Sequence, residues 1–205
     1  LPGRPEGREA RPARRVVPTP GGTAGLSGSA GTTCHRMDTD APVPSGEAFL
    51  RIVRSTLDKF VTEQGLGHLP EGSEMEFPAA SLDAHGVPRF VLRLPPALIA
   101  NDYGAACVFY DDVAGRGWEF SLRRFLDLHL ASDDVFIDIG AHFGIHSLTA
   151  ATGLPGQVSV LAIEPHPQNV ARIRDWVALN KLESEITIIP KAVGDREGVL
   201  PMWLS

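Results

Sequence analysis

The sequence predicts an α/β protein built on a parallel sheet, and three observations carry that expectation. Two almost continuously apolar runs, residues 135–137 and 158–163, lead directly into the carboxylates Asp138 and Glu164, as strands buried on both faces read. Gly140 and Gly144 follow the first run and mark a tight turn. Between the runs, IHSLTAATG reads as a short helix closed by Gly153 and Pro155. Strand, glycine turn, helix, strand and acid, in that order, make a nucleotide-type βαβ unit.

The unit also narrows its ligand. A molecule packing against the strand end needs residues without a Cβ there, which Gly140 and Gly144 supply. Glu164, at the tip of the neighbouring strand, is placed to accept hydrogen bonds from two ribose hydroxyls. A dinucleotide sets its pyrophosphate at the helix N-terminus behind G-x-G-x-x-G. Here the loop is D-I-G-A-H-F-G, with Ala141 and Phe143 between the glycines and Asp138 at the strand tip, where it would repel a pyrophosphate. A nucleoside with a cationic group and no phosphate suits the loop better. A nicotinamide-dependent oxidoreductase shares only the βαβ plan, and a non-catalytic nucleoside-binding fragment is the third reading.

The stretches VFIDIGAHFGIHSL, AIEPHPQN, VALNKL and IPKAVGD, in this order and spacing, resemble the FkbM-type family of class I S-adenosylmethionine-dependent methyltransferases over roughly residues 119–205. The resemblance implies a Rossmann-like class I methyltransferase sheet with helices on both faces. It implies S-adenosylmethionine as cofactor, with Asp138, Gly140, Ala141 and Gly144 at its methionine end, Glu164 on its ribose, and Lys191 and Ala192 near its adenine. The implied reaction is an SN2 transfer of the sulfonium methyl to a small-molecule or glycan acceptor, most often a hydroxyl of a sugar or secondary metabolite. Alignment supplies most of the catalysis, together with a base for the hydroxyl proton. The chain departs from the family at His142, where Asn is common, and at His146, where an aromatic residue is common. Both are candidate bases. Their H-x-x-x-H spacing lacks the acidic partner and third ligand of a zinc site, so no metal is expected. A seven-stranded sheet is implied by the family, and the chain reaches its first three core strands. A truncated sheet preceded by a small α+β segment is therefore the expectation.

Composition bounds the rest. Residues 1–36 hold six Arg against two Glu, twelve Pro or Gly and no aromatic residue. Such a segment cannot offset its ordering entropy by burial and reads as a disordered basic tail. Met37 reads as a natural start, with the preceding residues as translated upstream sequence. The other 169 residues carry 13 basic and 23 acidic side chains, a net −10, so neither nucleic acid nor an anionic membrane is an expected partner. Two cysteines, Cys34 and Cys107, give no disulfide framework. No window approaches the length of an apolar span, and a cytoplasmic protein is the expectation.

Domains are accordingly expected over 1–36, 37–116 and 117–205. Phe49, Ile52, Val53, Thr56, Leu57, Phe60 and Val61 predict an amphipathic helix over 47–64, capped by Ser45 and ended by Gly65 and Gly67. Residues 68–115, including RFVLRL and ACVFY, read as short strands and turns. Residues 117–131 predict a helix with Trp118, Leu122, Phe125, Leu126 and His129 on one face, His129 as a satisfied interfacial histidine. After Glu164, Pro167 suits a first helical turn, Val170, Ile173 and Val177 a core stripe, and Asn180 a left-handed terminator. EITIIP is the third strand, and GVLPMWLS reads as the start of another strand or hairpin.

Overall fold

The computed structural model describes residues 46–67, 69, 70, 72–199, 201 and 202. The basic tail, Met37, the Ser45 cap and Trp203 lie outside these residues. The described chain divides into two compact units, one running through Phe77 and resuming over Arg93–Tyr110, the other comprising Pro78–Leu92 and the chain from Asp111 onward. Among the described residues no helix is long and apolar enough to cross a membrane.

In the first unit, helix α1, Gly46–Glu63, forms where the periodicity places it. Its buried stripe is narrower than expected, Val53, Leu57 and Phe60, with Ile52 exposed. Phe109 packs edge-on against Phe60 at 5.6 Å and against Phe77 at 5.3 Å, a favourable arrangement for ring quadrupoles. Helix α2, Pro96–Asn101, is tied to α1 by Arg54 Nε, which donates to Ala100 O at 2.9 Å. Strands β1, Met75–Pro78, and β2, Val91–Leu94, make a two-stranded sheet. The ACVFY segment is helical rather than extended. It lies in α3, Tyr103–Val113, whose first turn is capped by Asp102 Oδ1 accepting from Ala105 N at 2.7 Å. Ala105, Ala106, Cys107, Val108 and Phe109 are all buried. A helix buried all round produces the same unbroken apolar run as a buried strand, so periodicity does not separate them.

The second unit holds the three-stranded parallel sheet, β3 (Val135–Ile139), β4 (Ser159–Ile163) and β5 (Ile186–Ile189), in the order β3-β4-β5. Helix α5, Ile145–Gly153, makes the crossover from β3 to β4, and α6, Pro167–Asn180, that from β4 to β5. This is the predicted βαβ succession, extended by one strand. The register sets Phe136 beside Val160 and Ile186, and Asp138 beside Ala162 and Ile188. Asp138, Val160, Ala162 and Ile186 of that face are buried. On the opposite face Val135, Ile137 and Ile139 are 60%, 53% and 63% exposed.

Helix α6 buries Val170, Ile173 and Val177 as expected, and Trp176 with them. Its left-handed terminator is Lys181, at φ 59°, rather than Asn180. Asn180 stays helical because its amide is engaged elsewhere. Its Oδ1 accepts from Val91 N at 2.7 Å, and its Nδ2 donates to Val91 O and Trp176 O, both at 2.8 Å. Residues 198, 199, 201 and 202 form no strand.

Helix α4, Phe120–His129, differs from its expected packing. Trp118 precedes it, Leu122 and Phe125 are exposed, and the buried positions are Arg123 and Leu126. An arginine faces inward because a carboxylate waits for it: Asp112 Oδ1 and Oδ2 accept from Arg123 Nη1 and Nη2 at 2.8 and 2.9 Å. Asp112 also accepts from Ala80 N at 2.7 Å and Trp118 N at 3.4 Å, so the buried charges are paired and hydrogen-bonded. His129 is exposed rather than interfacial, stacked on Phe125 at 4.2 Å, with Nδ1 2.9 Å from Phe125 O.

Removing one partner of this clamp leaves an uncompensated buried charge. Asp112→Ala is expected to lower the unfolding free energy by roughly 3–5 kcal/mol in a denaturant titration; a loss under about 1 kcal/mol, the scale of a surface pair, would contradict a buried clamp.

Candidate functional site

The sheet register brings the expected site residues to one edge. Ile139, Ile163 and Ile189 are partners across the three strands, so the carboxyl ends of β3, β4 and β5 are level. Each following loop is tied to the next strand: Gly140 N and Ala141 N both donate to Ile163 O, at 2.9 and 3.1 Å, and Glu164 N donates to Ile189 O at 3.1 Å. Carboxyl ends of parallel strands are where open α/β sheets bind ligands. Lys191 and Ala192 follow β5 on the same edge and are exposed.

The two loop glycines differ in what requires them. At Gly140, φ 77°, a Cβ would meet nothing within 4 Å, so the loop faces open space there. At Gly144, φ 80°, a Cβ would stand 3.1 Å from Ile173 Cγ1 of α6. The missing Cβ at Gly144 therefore serves helix packing, where the sequence suggested room for a ligand. Ala141 turns its methyl inward, and Phe143 is buried with its ring 6.0 Å from Trp176. His142 has φ 52° and lies between them, exposed and stacked on Phe143 at 3.9 Å. Asn and His are both enriched in left-handed backbone, which accounts for His at a position where the resembled family commonly has Asn.

Two carboxylates anchor the loop. Asp138, 8% exposed, accepts from Ser147 Oγ at 2.6 Å and so joins the end of β3 to the first turn of α5. Glu164 is 5% exposed and joins the loops themselves. Its Oε2 accepts from His142 N at 2.8 Å, its Oε1 from His166 N at 2.8 Å and from Asn169 Nδ2 at 3.4 Å. These charge-assisted bonds satisfy backbone donors that no strand pairs.

One contact was not visible in the sequence. His146, in the first turn of α5, has Nε2 2.5 Å from Glu119 Oε2, while its Nδ1 is buried and has no hydrogen-bond partner among the described residues. Glu119 is the residue preceding α4 and adopts a left-handed conformation, φ 50°, ψ 46°, which costs a non-glycine residue roughly 1–2 kcal/mol. Its side chain is half exposed. Among the described residues no group of three or more His, Cys, Asp or Glu is placed to hold a metal ion.

With this geometry in place, comparison with known proteins finds a family likeness over part of the chain. Residues 138–202 match the family described as Methyltransferase FkbM domain, so the likeness read from the motifs is borne out over that stretch. No curated protein matches the chain. Solved structures similar to it include a precorrin-6y C5,15-methyltransferase from Geobacter metallireducens GS-15, 27% identical over 37% of this chain and 39% of that one, with a TM-score of 0.32. A SAM-dependent methyltransferase from Agrobacterium tumefaciens is 14% identical over 52% of this chain and 31% of that one, TM-score 0.32. The P. horikoshii TYW2 structure, a complex with MeSAdo, is 18% identical over 73% of this chain and 66% of that one, TM-score 0.34. The chain thus spans between 31% and 66% of the length of these structures.

The loop geometry orders two glycine substitutions. Gly140→Ala should cost about 1 kcal/mol, from positive φ alone, whereas Gly144→Ala should cost a further 1–3 kcal/mol, on the order of other overpacked cores. Equal unfolding midpoints for the two variants would contradict the assignment of Gly144 to packing against Ile173. Glu164→Gln, which turns an N–H donor toward a backbone N–H, should destabilise by about 1–3 kcal/mol, read as a lowered thermal midpoint.

Proposed function

We propose that the protein is an S-adenosylmethionine-dependent methyltransferase acting on a hydroxyl of a sugar or secondary metabolite. The observation that carries the reading is the meeting, at the level ends of three parallel strands, of an open glycine loop and the Glu164 carboxylate, within the stretch that matches the FkbM domain. The residues fit such a cofactor. Gly140 leaves open the space that a side chain would fill, and Glu164 Oε2, with one N–H bound, retains a lone pair for a ribose hydroxyl. Asp138, Gly140, Ala141 and Gly144 form the methionine end of this proposed site, Ala141 contributing backbone alone, and Lys191 and Ala192 the adenine end.

The bound cofactor supplies an electrophilic methyl on a sulfonium. The chain's part is to hold the ribose at Glu164 and to fix the loop against α5, so that the methyl and an acceptor oxygen meet in line. Of the two candidate bases, His142 is exposed on the loop, whereas His146 has one ring nitrogen against Glu119 and the other buried. We assign the proton-accepting role to His142 on that ground.

Calorimetric titration with S-adenosylhomocysteine and with NAD separates this reading from a nicotinamide-dependent oxidoreductase. Binding of the first and not the second is expected, and Glu164→Ala should weaken it by roughly 2–4 kcal/mol, the scale for charged hydrogen bonds lost in a site. Binding of NAD alone, or an unchanged affinity in a folded Glu164→Ala protein, would contradict the assignment.

A further inference from the structure

We propose that Glu119, held in place by His146, is the counter-charge for the cationic α-amino group at the methionine end of the cofactor. The inference rests on the methyltransferase reading and adds to it a residue nineteen positions upstream of the first residue of the stretch that matches the family, 138–202.

Two consecutive residues of the first turn of α5 each meet a carboxylate. Ser147 Oγ donates to Asp138 Oδ2 at 2.6 Å, and His146 Nε2 lies 2.5 Å from Glu119 Oε2. They are the second and third residues after Gly144, which ends the open loop. An amino-acid end docked on this loop carries a cation that needs a carboxylate, and the two available differ in access. Asp138 is buried and occupied by Ser147. Glu119 is half exposed, and its Oε1 makes no hydrogen bond among the described residues.

The placement of Glu119 is also built in. Its backbone O accepts from Leu122 N and Arg123 N, at 2.9 and 3.2 Å, as the first turn of α4 begins. Arg123 is locked by Asp112, which also accepts from Trp118 N, the residue before Glu119. A non-glycine residue in the left-handed region persists where its surroundings over-determine it, and such residues gather at ligand clamps. Here the clamp on either side of Glu119 and the imidazole on its Oε2 hold a half-exposed side chain in place, with Oε1 unbonded among the described residues. His146 acts through Glu119 and is a positioning residue.

The test compares ligands with and without the cation. S-adenosylhomocysteine carries the α-amino group, its deaminated analogue lacks that group alone, and 5′-methylthioadenosine lacks the whole amino-acid end. In calorimetry the wild-type chain is expected to bind S-adenosylhomocysteine about tenfold or more tightly than the deaminated analogue, as loss of a charge-assisted bond implies. Glu119→Gln, which still accepts from His146, should lose that difference and keep its affinity for 5′-methylthioadenosine within about twofold. Equal wild-type affinity for the two long ligands would overturn the proposal without recourse to a variant, and so would a Glu119→Gln protein that weakens both S-adenosylhomocysteine and 5′-methylthioadenosine alike. A wild-type protein that binds none of the three would overturn the cofactor reading itself, and this assignment with it.

Discussion

The buried carboxylate of Glu164 is the constraint on which the sheet edge depends. Parallel strands end level, and the loops leaving them carry N–H groups that no neighbouring strand can pair. Glu164 accepts two of these, from His142 in the loop after β3 and His166 in the loop after β4, while its own N–H is held by Ile189 of β5. One residue therefore touches all three strand ends. A neutral side chain of the same shape cannot do this, because it would offer a donor where an acceptor is needed.

The second constraint is the first turn of α5. Gly144 lets α6 approach closely through Ile173, Ser147 fixes the turn to Asp138 on β3, and His146 fixes it to Glu119 before α4. The first turn of α5 is thus fixed by three separate contacts before any ligand arrives. Preorganised polar groups of this kind need little rearrangement on binding, which is where affinity is otherwise lost.

Much of this was legible in the sequence because its signals are local. The runs at 135–137 and 158–163, the two glycines, and Pro167 with the 170, 173, 177 stripe place β3, β4, the loop and α6 correctly. Glu164 at the strand tip was legible for the same reason, although its grip on two backbone N–H groups was not. What escaped was carried by tertiary partners. ACVFY reads as a strand until the helix around it is seen to be buried on every side. Arg123 faces inward, against the hydrophobic pattern of α4, because Asp112 neutralises it eleven residues away in sequence. Asn180 yields its terminator role to Lys181 because Val91, 89 residues distant, takes its amide. The Glu119–His146 contact spans 27 residues and depends on a left-handed backbone at a glutamate, for which composition and spacing give no sign.

If the edge tied by Glu164 is the cofactor site, amide hydrogen exchange with and without S-adenosylhomocysteine should register the ligand there. Added ligand should slow exchange in the loops after β3 and β4, over residues 140–146 and 164–169, beyond the protection the hydrogen bonds already give. Protection confined to other parts of the chain, with these two loops unchanged at saturating ligand, would contradict it.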